Sequence, residues 1–172
     1  RSGMGFPACH FDDTHIKMML AKGVSIEDAR DYCLMGCVEP QKAGKTDGWH
    51  DAAFFNMCRP LEMVFSNGMD KGVQIGVRTG DVTEMKTFDE FYDAYKKQME
   101  YFISLLVNAD NAIDVAHAER CPLPFLSCMV DDCMKRGKSV QEGGAVYNFT
   151  GPQGFGIANM ADSLYAIRQL VY

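Results

Sequence analysis

Long apolar stretches are missing from this 172-residue sequence: it has no run of 18 or more apolar residues, so no segment is predicted to span a membrane. Basic residues are also scarce, since 17 Lys and Arg stand against 23 Asp and Glu and leave a net charge of −6. No Lys/Arg cluster could neutralise a run of phosphates. We therefore expect no nucleic-acid partner.

Paired cysteines and a signal peptide are missing as well. The seven cysteines are an odd number, and their spacing fits no disulfide framework. Residues 1–5 lack the apolar segment that a signal peptide needs. These features predict free thiols and a cytoplasmic location. The twelve methionines, which oxidise readily, favour an anaerobic or strongly reducing setting.

The residues that are present suit a globular protein. Hydrophobic residues make up 47% of the chain and charged residues 23%, and the length allows one domain with a core. The sequence opens on Arg1 rather than Met, and residues 170–172 are an apolar run on an incomplete helical pattern. We therefore expect an internal segment of a longer polypeptide.

Apolar residues recur mainly at helical spacing, and capping boxes at Ser25 and Thr87 mark two helix starts. Pro60 is expected to kink the helix in which it lies. The predicted helices cover residues 15–22, 26–33, 52–66, 88–117, 125–136 and 157–172. Short strands are predicted at 73–77 and 145–149, and a tight loop at 151–156. This order predicts an α/β fold that is predominantly helical, with short buried strands.

Residues 35–41 carry the strongest chemical signal. Gly36 and Pro40 keep this segment from being helical. In an extended backbone, residues i and i+2 project from the same side, about 6–7 Å apart. One small substrate could then touch both the Cys37 sulfur and the Glu39 carboxylate. Such a geometry suits one-electron chemistry on an alcohol as well as nucleophilic chemistry.

Three other groups contain potential metal ligands: His10, Asp12, Asp13 and His15; Cys33 and Cys37; and Cys121, Cys128 and Cys133. A helix start capped by Asp12 or Asp13 explains the first group. The second lacks the third cysteine of a cluster motif, and the third lacks CxxC spacing. We predict no metal site. A non-catalytic, cysteine-rich metal-binding or interaction domain is kept as the alternative class.

Four phrases carry a family resemblance: Gly36-Cys37-Val38-Glu39-Pro40-Gln41, Gly48-Trp49-His50-Asp51-Ala52-Ala53-Phe54-Phe55-Asn56, Ala116-His117-Ala118-Glu119-Arg120 and Tyr147-Asn148-Phe149-Thr150-Gly151-Pro152-Gln153-Gly154. The first resembles the cysteine finger loop of the glycyl radical enzymes. The other three resemble the glycerol and propane-1,2-diol dehydratase branch of that family. Together they span essentially the whole chain.

The resemblance implies that residues 1–172 are part of a single pyruvate formate-lyase-like catalytic domain, a ten-stranded α/β barrel. The cysteine finger loop would cover residues 34–48. The chain contains no Arg-Val-x-Gly-Tyr-type sequence, so the glycyl radical domain is expected to be absent. The glycyl radical would then sit on a glycine outside this chain, with no cofactor bound directly.

The same resemblance implies roles for three residues. Cys37 would form the thiyl radical, Glu39 would be the general base that marks the eliminating lyases, and Asp51 would bind the hydroxyl region of the substrate. A carbon radical makes an adjacent O–H far more acidic, so a carboxylate can take its proton. Val38 beside Cys37 counts against acetyl transfer from pyruvate, which uses two adjacent cysteines. Asp51 is also placed to cap a helix beginning near Ala52.

The implied reaction is dehydration of a vicinal diol, glycerol or propane-1,2-diol, to an aldehyde. Isethionate sulfite-lyase and choline trimethylamine-lyase are alternatives within the family, and His50, Asp51 and Phe54 make choline the poorer fit. The implied partners are a small alcohol substrate, a radical S-adenosylmethionine activating enzyme with an iron–sulfur cluster, and a second copy in a homodimer.

Overall fold

The fold is described from a computed structural model that covers residues 9–172. Residues 1–8, including the start where no signal peptide is expected, lie outside the described part. The chain divides into two compact units. Within the described residues, the first contains 9–50 and 116–150, and the second contains 51–115 and 151–172.

The chain is predominantly helical. Its helices are α1 (Asp12–Ala21), α2 (Ile26–Arg30), α3 (Arg59–Phe65), α4 (Phe88–Arg120), α5 (Pro124–Cys128), α6 (Cys133–Arg136) and α7 (Ile157–Leu170), with 3-10 turns at Val82–Glu84 and Val140–Glu142. In the described part, no helix is both long and apolar enough to cross a membrane.

Among residues 9–172, the strands pair into three two-stranded sheets, β1–β2, β3–β6 and β4–β5. They are β1 (Cys33–Met35), β2 (Glu39–Gln41), β3 (Thr46–Asn56), β4 (Met69–Asp70), β5 (Val73–Gln74) and β6 (Tyr147–Phe155). No strand residue between 9 and 172 is buried, whereas the sequence favoured buried strands. A sheet of only two strands offers little surface for covering its own side chains.

The core of the first unit lies under α1 and α2. Met19, Val24 and Ala29 are buried there. Asp28 is 8% exposed; its carboxylate accepts a hydrogen bond from the Tyr147 hydroxyl at 2.7 Å and pairs with the Lys45 ammonium at 2.8 Å. The Lys45 contact, followed by the Tyr147 contact, lowers the pKa of Asp28. This network ties α2 to the residues before β3 and to the start of β6.

The core of the second unit lies between α3 and the first half of α4. Its buried members are Leu61, Val64, Phe91, Ala94 and Tyr95. Burial raises the pKa of the Tyr95 phenol to about 12. The predicted capping box of α4 is present, because Thr87 Oγ1 accepts from the Glu90 amide and Glu90 Oε2 accepts from the Thr87 amide, both at 3.3 Å.

The helix predicted over 52–66 is wrong in its first part, because residues up to Asn56 belong to β3. Their partner, β6, is distant in sequence, and helical periodicity does not reveal it. Pro60 stands in the first turn of α3 instead of kinking a longer helix. Its fixed φ suits that position, where its missing N–H has no helical acceptor.

Several other boundaries differ from those predicted, and the helix predicted over 26–33 ends at Arg30. α1 begins at Asp12, and Phe11 occupies its N-cap position without a side-chain cap, so neither aspartate caps it. The helix predicted over 125–136 is two helices, broken by Asp132 at φ 73°, and it ends at Gly137 as expected. The predicted loop at 151–156 is strand up to Phe155, and the turn is confined to Gly156, at φ 80°.

Candidate active site

Cys37 lies at the tip of a β-hairpin. β1 and β2 are antiparallel, with Met35 opposite Glu39, and residues 36–38 form the turn. Gly36 has a φ of 61°, a left-handed conformation that favours glycine. The extended backbone predicted for this segment is therefore wrong, because the chain reverses here. Cys37 is exposed at the reversal.

Glu39 is nevertheless placed beside Cys37, by hydrogen bonds rather than by strand geometry. Its Oε2 accepts from the backbone N–H groups of Cys37 and Val38, both at 2.9 Å. A Cβ on Gly36 would lie 2.9 Å from the same oxygen, tighter than real Cβ contacts allow. The carboxylate thus folds over the turn and occupies the space that a side chain at position 36 would take.

Asp51 lies on β3 in the second unit, whereas Cys37 and Glu39 belong to the first. It does not cap a helix, because the strand continues to Asn56. Its φ is 59°, a left-handed conformation within a strand. Its Oδ1 accepts a hydrogen bond from Gln153 Nε2 on β6, and the Asp51 side chain is exposed.

The other aromatic and charged residues near these positions have packing or ion-pair partners. Trp49 meets the ring of His117 edge-on, with centroids 5.4 Å apart. His50 Nε2 packs against Gly48, where a Cβ would be only 2.2 Å away. Arg59 pairs with Glu62 at 2.6 Å and Asp70 at 2.8 Å. These two carboxylates raise the pKa of Arg59.

The potential metal ligands are dispersed. His10 Nδ1 and His15 Nε2 lie 3.1 Å apart, while Asp12 accepts from the Tyr32 hydroxyl at 2.8 Å. Cys133 is buried, which raises the pKa of its thiol. Cys121 and Cys128 are exposed. Across residues 9–172, no group of three or more His, Cys, Asp or Glu side chains could hold a metal ion.

The residue that sequence reasoning missed is Gln153. It stands in the phrase Gly151-Pro152-Gln153-Gly154, which was assigned to a tight loop on the strength of its glycines and proline. The sequence offers one signal for it: Gln153 is the only residue of this phrase with a polar side chain. Its contact with Asp51 depends on the pairing of β3 with β6, which no local pattern encodes.

A family comparison decides the membership of this chain. The family model described as pyruvate formate lyase-like matches residues 1–172. The chain belongs to the pyruvate formate lyase-like family. Among curated relatives in this family, the (2S)-3-sulfopropanediol dehydratase of Klebsiella oxytoca is 45% identical over all of this chain and 21% of its own length.

Two solved structures in the pyruvate formate lyase-like family share the fold of this chain. One concerns 1,2-propanediol dehydration in Roseburia inulinivorans: it is 65% identical, with a TM-score of 0.92, over 94% of this chain and 20% of its own. The other is the glycerol-bound, B12-independent glycerol dehydratase from Clostridium butyricum: it is 57% identical, with a TM-score of 0.94, over 98% of this chain and 22% of its own.

These matches confirm the resemblance to the glycyl radical enzymes and the predicted fold, a predominantly helical part of their α/β barrel. The chain spans about a fifth of the length of the relatives it matches.

Proposed function

We propose that this chain is the cysteine-loop segment, residues 34–48 forming the loop, of a glycyl radical lyase that dehydrates a vicinal diol to an aldehyde and water. The observation that carries the proposal is the hairpin tip. There the Cys37 thiol is exposed, and the Glu39 carboxylate accepts hydrogen bonds from the backbone N–H groups of Cys37 and Val38.

The family implies a glycyl radical, which we place on a glycine outside this chain. The hairpin fits this arrangement, because an exposed thiol on a tight turn can be approached by a group from another segment. When present, the radical supplies the one-electron oxidation of the Cys37 thiol by removing its hydrogen atom. The remaining steps are carried out by side chains of this chain.

Cys37 takes a hydrogen atom from the hydroxyl-bearing carbon of the substrate, which forms an S–H bond and leaves a carbon radical. Glu39 then takes the proton of the adjacent hydroxyl, now far more acidic, as the neighbouring C–O bond breaks. The departing hydroxyl takes up one proton, which the Glu39 carboxylic acid formed in this step returns, so that it leaves as water and Glu39 is ionised again. Asp51 contacts this departing hydroxyl. Cys37 finally returns a hydrogen atom to the product carbon, so the conversion of diol to aldehyde and water is redox-neutral.

We infer glycerol or propane-1,2-diol as the substrate, because both structural neighbours concern dehydration of these diols and the curated relative is also a dehydratase. Isethionate sulfite-lyase and choline trimethylamine-lyase activities are less supported by these relatives. A non-catalytic cysteine-rich domain is less supported for the same reason. The proposed partners are a radical S-adenosylmethionine activating enzyme and a second copy in a homodimer, in the cytoplasm.

The test uses the full-length protein that contains this chain, activated without oxygen, with aldehyde formation from glycerol and propane-1,2-diol as the readout. Cys37→Ser should abolish turnover while substrate binding persists. Glu39→Gln should lower kcat by about 10²–10⁴-fold, the usual effect of losing a general base. The 172-residue chain alone should be inactive.

Glu142→Gln is the matched control, because Glu142 also accepts backbone and hydroxyl hydrogen bonds in a turn, from Ser139 at 2.9 Å. Glu142→Gln should leave kcat within about twofold of the wild-type value, because surface substitutions away from a functional site usually have small effects. Substantial turnover by the Cys37→Ser protein, or by the isolated chain, would end the proposal.

A further inference from the structure

We propose that Gln153 is a positioning residue for Asp51: its side-chain amide orients the Asp51 carboxylate and holds it as an acceptor for the hydroxyl that leaves the substrate. The observation is the hydrogen bond from Gln153 Nε2 to Asp51 Oδ1, within the second unit. The inference rests on the proposed function, in which Asp51 contacts that hydroxyl.

The backbone around Asp51 supports this assignment. Asp51 has a φ of 59° within β3, where regular strand residues have negative φ. A left-handed residue in a strand turns its side chain away from the regular alternation. Irregularities of this kind are over-represented beside active sites, where they re-aim a side chain. An exposed carboxylate at such a position still needs a partner to fix its torsion angles.

The pairing of β3 with β6 supplies that partner. The Met57 amide donates to the Phe155 carbonyl at 3.0 Å. Met57, the residue after β3, is thus paired with Phe155, the last residue of β6. Gly154 follows Gln153, and its missing side chain leaves space for Met57, whose sulfur would lie 3.1 Å from a Cβ there. These contacts hold the end of β6 that contains Gln153 against the end of β3.

The chemistry of the two groups explains the choice of glutamine. An amide N–H that donates to a carboxylate forms a charge-assisted hydrogen bond. The bond engages Oδ1, and we assign Oδ2 as the acceptor for the substrate hydroxyl. A glutamate at position 153 would instead repel Asp51 until one of the two carboxyl groups bound a proton.

Two substitutions separate positioning from packing. Gln153→Met keeps the length of the side chain but removes the donor. Gln153→Glu keeps the shape of the side chain, but the introduced carboxyl group can donate a hydrogen bond to Asp51 only when it is protonated. Gln169→Glu, on the exposed side of α7 in the same unit, is the matched charge control. Each is made in the full-length protein, and kcat/KM for glycerol and propane-1,2-diol is measured from pH 6 to pH 8.5, per radical determined by electron paramagnetic resonance.

We expect Gln153→Met to lower kcat/KM by about 10- to 100-fold at every pH, since it removes a hydrogen bond to a charged group. Gln153→Glu should be equally impaired at pH 8.5. It should recover toward the wild-type value as the pH falls, by about tenfold per pH unit, because the protonated introduced carboxyl can donate to Asp51. Gln169→Glu should follow the wild-type profile.

A constant ratio between the Gln153→Glu and wild-type values across the pH range would overturn the inference, because a packing role has no reason to follow protonation. So would a Gln153→Met protein with wild-type kcat/KM. Wild-type protein that turns over neither diol would instead contradict the proposed function.

Glycerol binding to the unactivated protein then still decides the role of Gln153. The same pH-dependent rescue of binding should be seen in Gln153→Glu, and its absence in that assay overturns the inference. Circular dichroism at pH 6 and pH 8.5 verifies that each variant is folded.

Discussion

At the scale of single residues, the hairpin tip depends on what position 36 lacks. Glu39 Oε2 occupies the space that a Cβ there would need, at 2.9 Å, and Gly36 also has a left-handed φ of 61°. Any other residue at this position therefore meets two separate obstacles. One is the cost of the backbone conformation, and the other is displacement of the carboxylate from the Cys37 and Val38 amides.

Replacement of Gly36 by alanine should reveal the second obstacle. We expect Gly36→Ala to lower kcat in the full-length protein by about 100-fold, because small misplacements of a reacting group have effects of this size. Gly44→Ala is the control: Gly44 has a φ of 73°, and a Cβ there would meet nothing within 4 Å. Equal kcat values for the two variants would mean that the Glu39 contact does not affect the reaction.

The sequence predicts roles for Cys37, Glu39 and Asp51 through phrases shared with a family, and these roles stay predictions. It also predicts the N-cap of α2 through local chemistry. Ser25 Oγ does accept from the Asp28 amide, at 3.1 Å. The contact of Gln153 with Asp51 was not predicted, because it depends on a strand about a hundred residues away. The wrong backbone conformation at Cys37 has a local cause: Gly36 adopts a left-handed φ of 61°, which reverses the chain and brings Met35 opposite Glu39.

At the scale of elements, Gln98 joins α4 to the segment after β5. It is fully buried; its Oε1 accepts from the Val77 amide at 3.1 Å, and its Nε2 donates to the Val77 carbonyl at 2.6 Å. The side chain thus pairs with one residue as a neighbouring strand would. Gly76 fits beside it because a Cβ there would be 2.4 Å from Gln98 Oε1.

Replacement of Gln98 by methionine should therefore destabilise the second unit without a large change in packing volume. Two backbone groups of Val77 lose their partners, and we expect a cost of about 1–3 kcal/mol for each group left buried and unpaired. Hydrogen exchange at Val77 should become faster by a corresponding factor. Gln169→Met, at an exposed site, serves as the control. Unchanged exchange at Val77 would contradict the prediction, because the amide would then stay protected without the Gln98 side chain.

Elements defined by their own sequence were predicted best. The long helix from Thr87 needed only a capping box and regular apolar spacing, and it extends to Arg120. β3 was assigned to a helix because its apolar residues fit either period, and only tertiary pairing distinguishes the two. A proline was correctly taken to mark a change in the backbone at position 60, but Pro60 lies in the first turn of α3, where a kink was expected.

At the scale of the whole molecule, the second half of α4 has an unusual surface. Several of its apolar residues are exposed within this chain, for example Ile103 at 43% and Val107 at 48%. The relatives are about five times longer than the chain, and we propose that other segments of a full-length protein cover this face. The sequence supplied the family and the fold, but local patterns do not specify contacts with residues outside these 172.

Substitution of Val107 by serine in the full-length protein tests this coverage. If the face is buried there, the substitution should cost about 1.5–3 kcal/mol, as for a buried valine, and lower the thermal midpoint. A valine that remains exposed should change stability by less than about 0.5 kcal/mol. Asn108→Ser, at the neighbouring exposed position, controls for the helix propensity of serine. Equal midpoints for the two variants would contradict the proposal.

The attachment of Glu39 to the turn has a mechanical consequence. Because the carboxylate is bonded to the Cys37 and Val38 amides, any swing of the hairpin as a rigid body carries the sulfur and the acid group along together. Their separation is then insensitive to how far the loop travels when a substrate enters. Opening and closing would change access to the pair while its internal spacing stays constant.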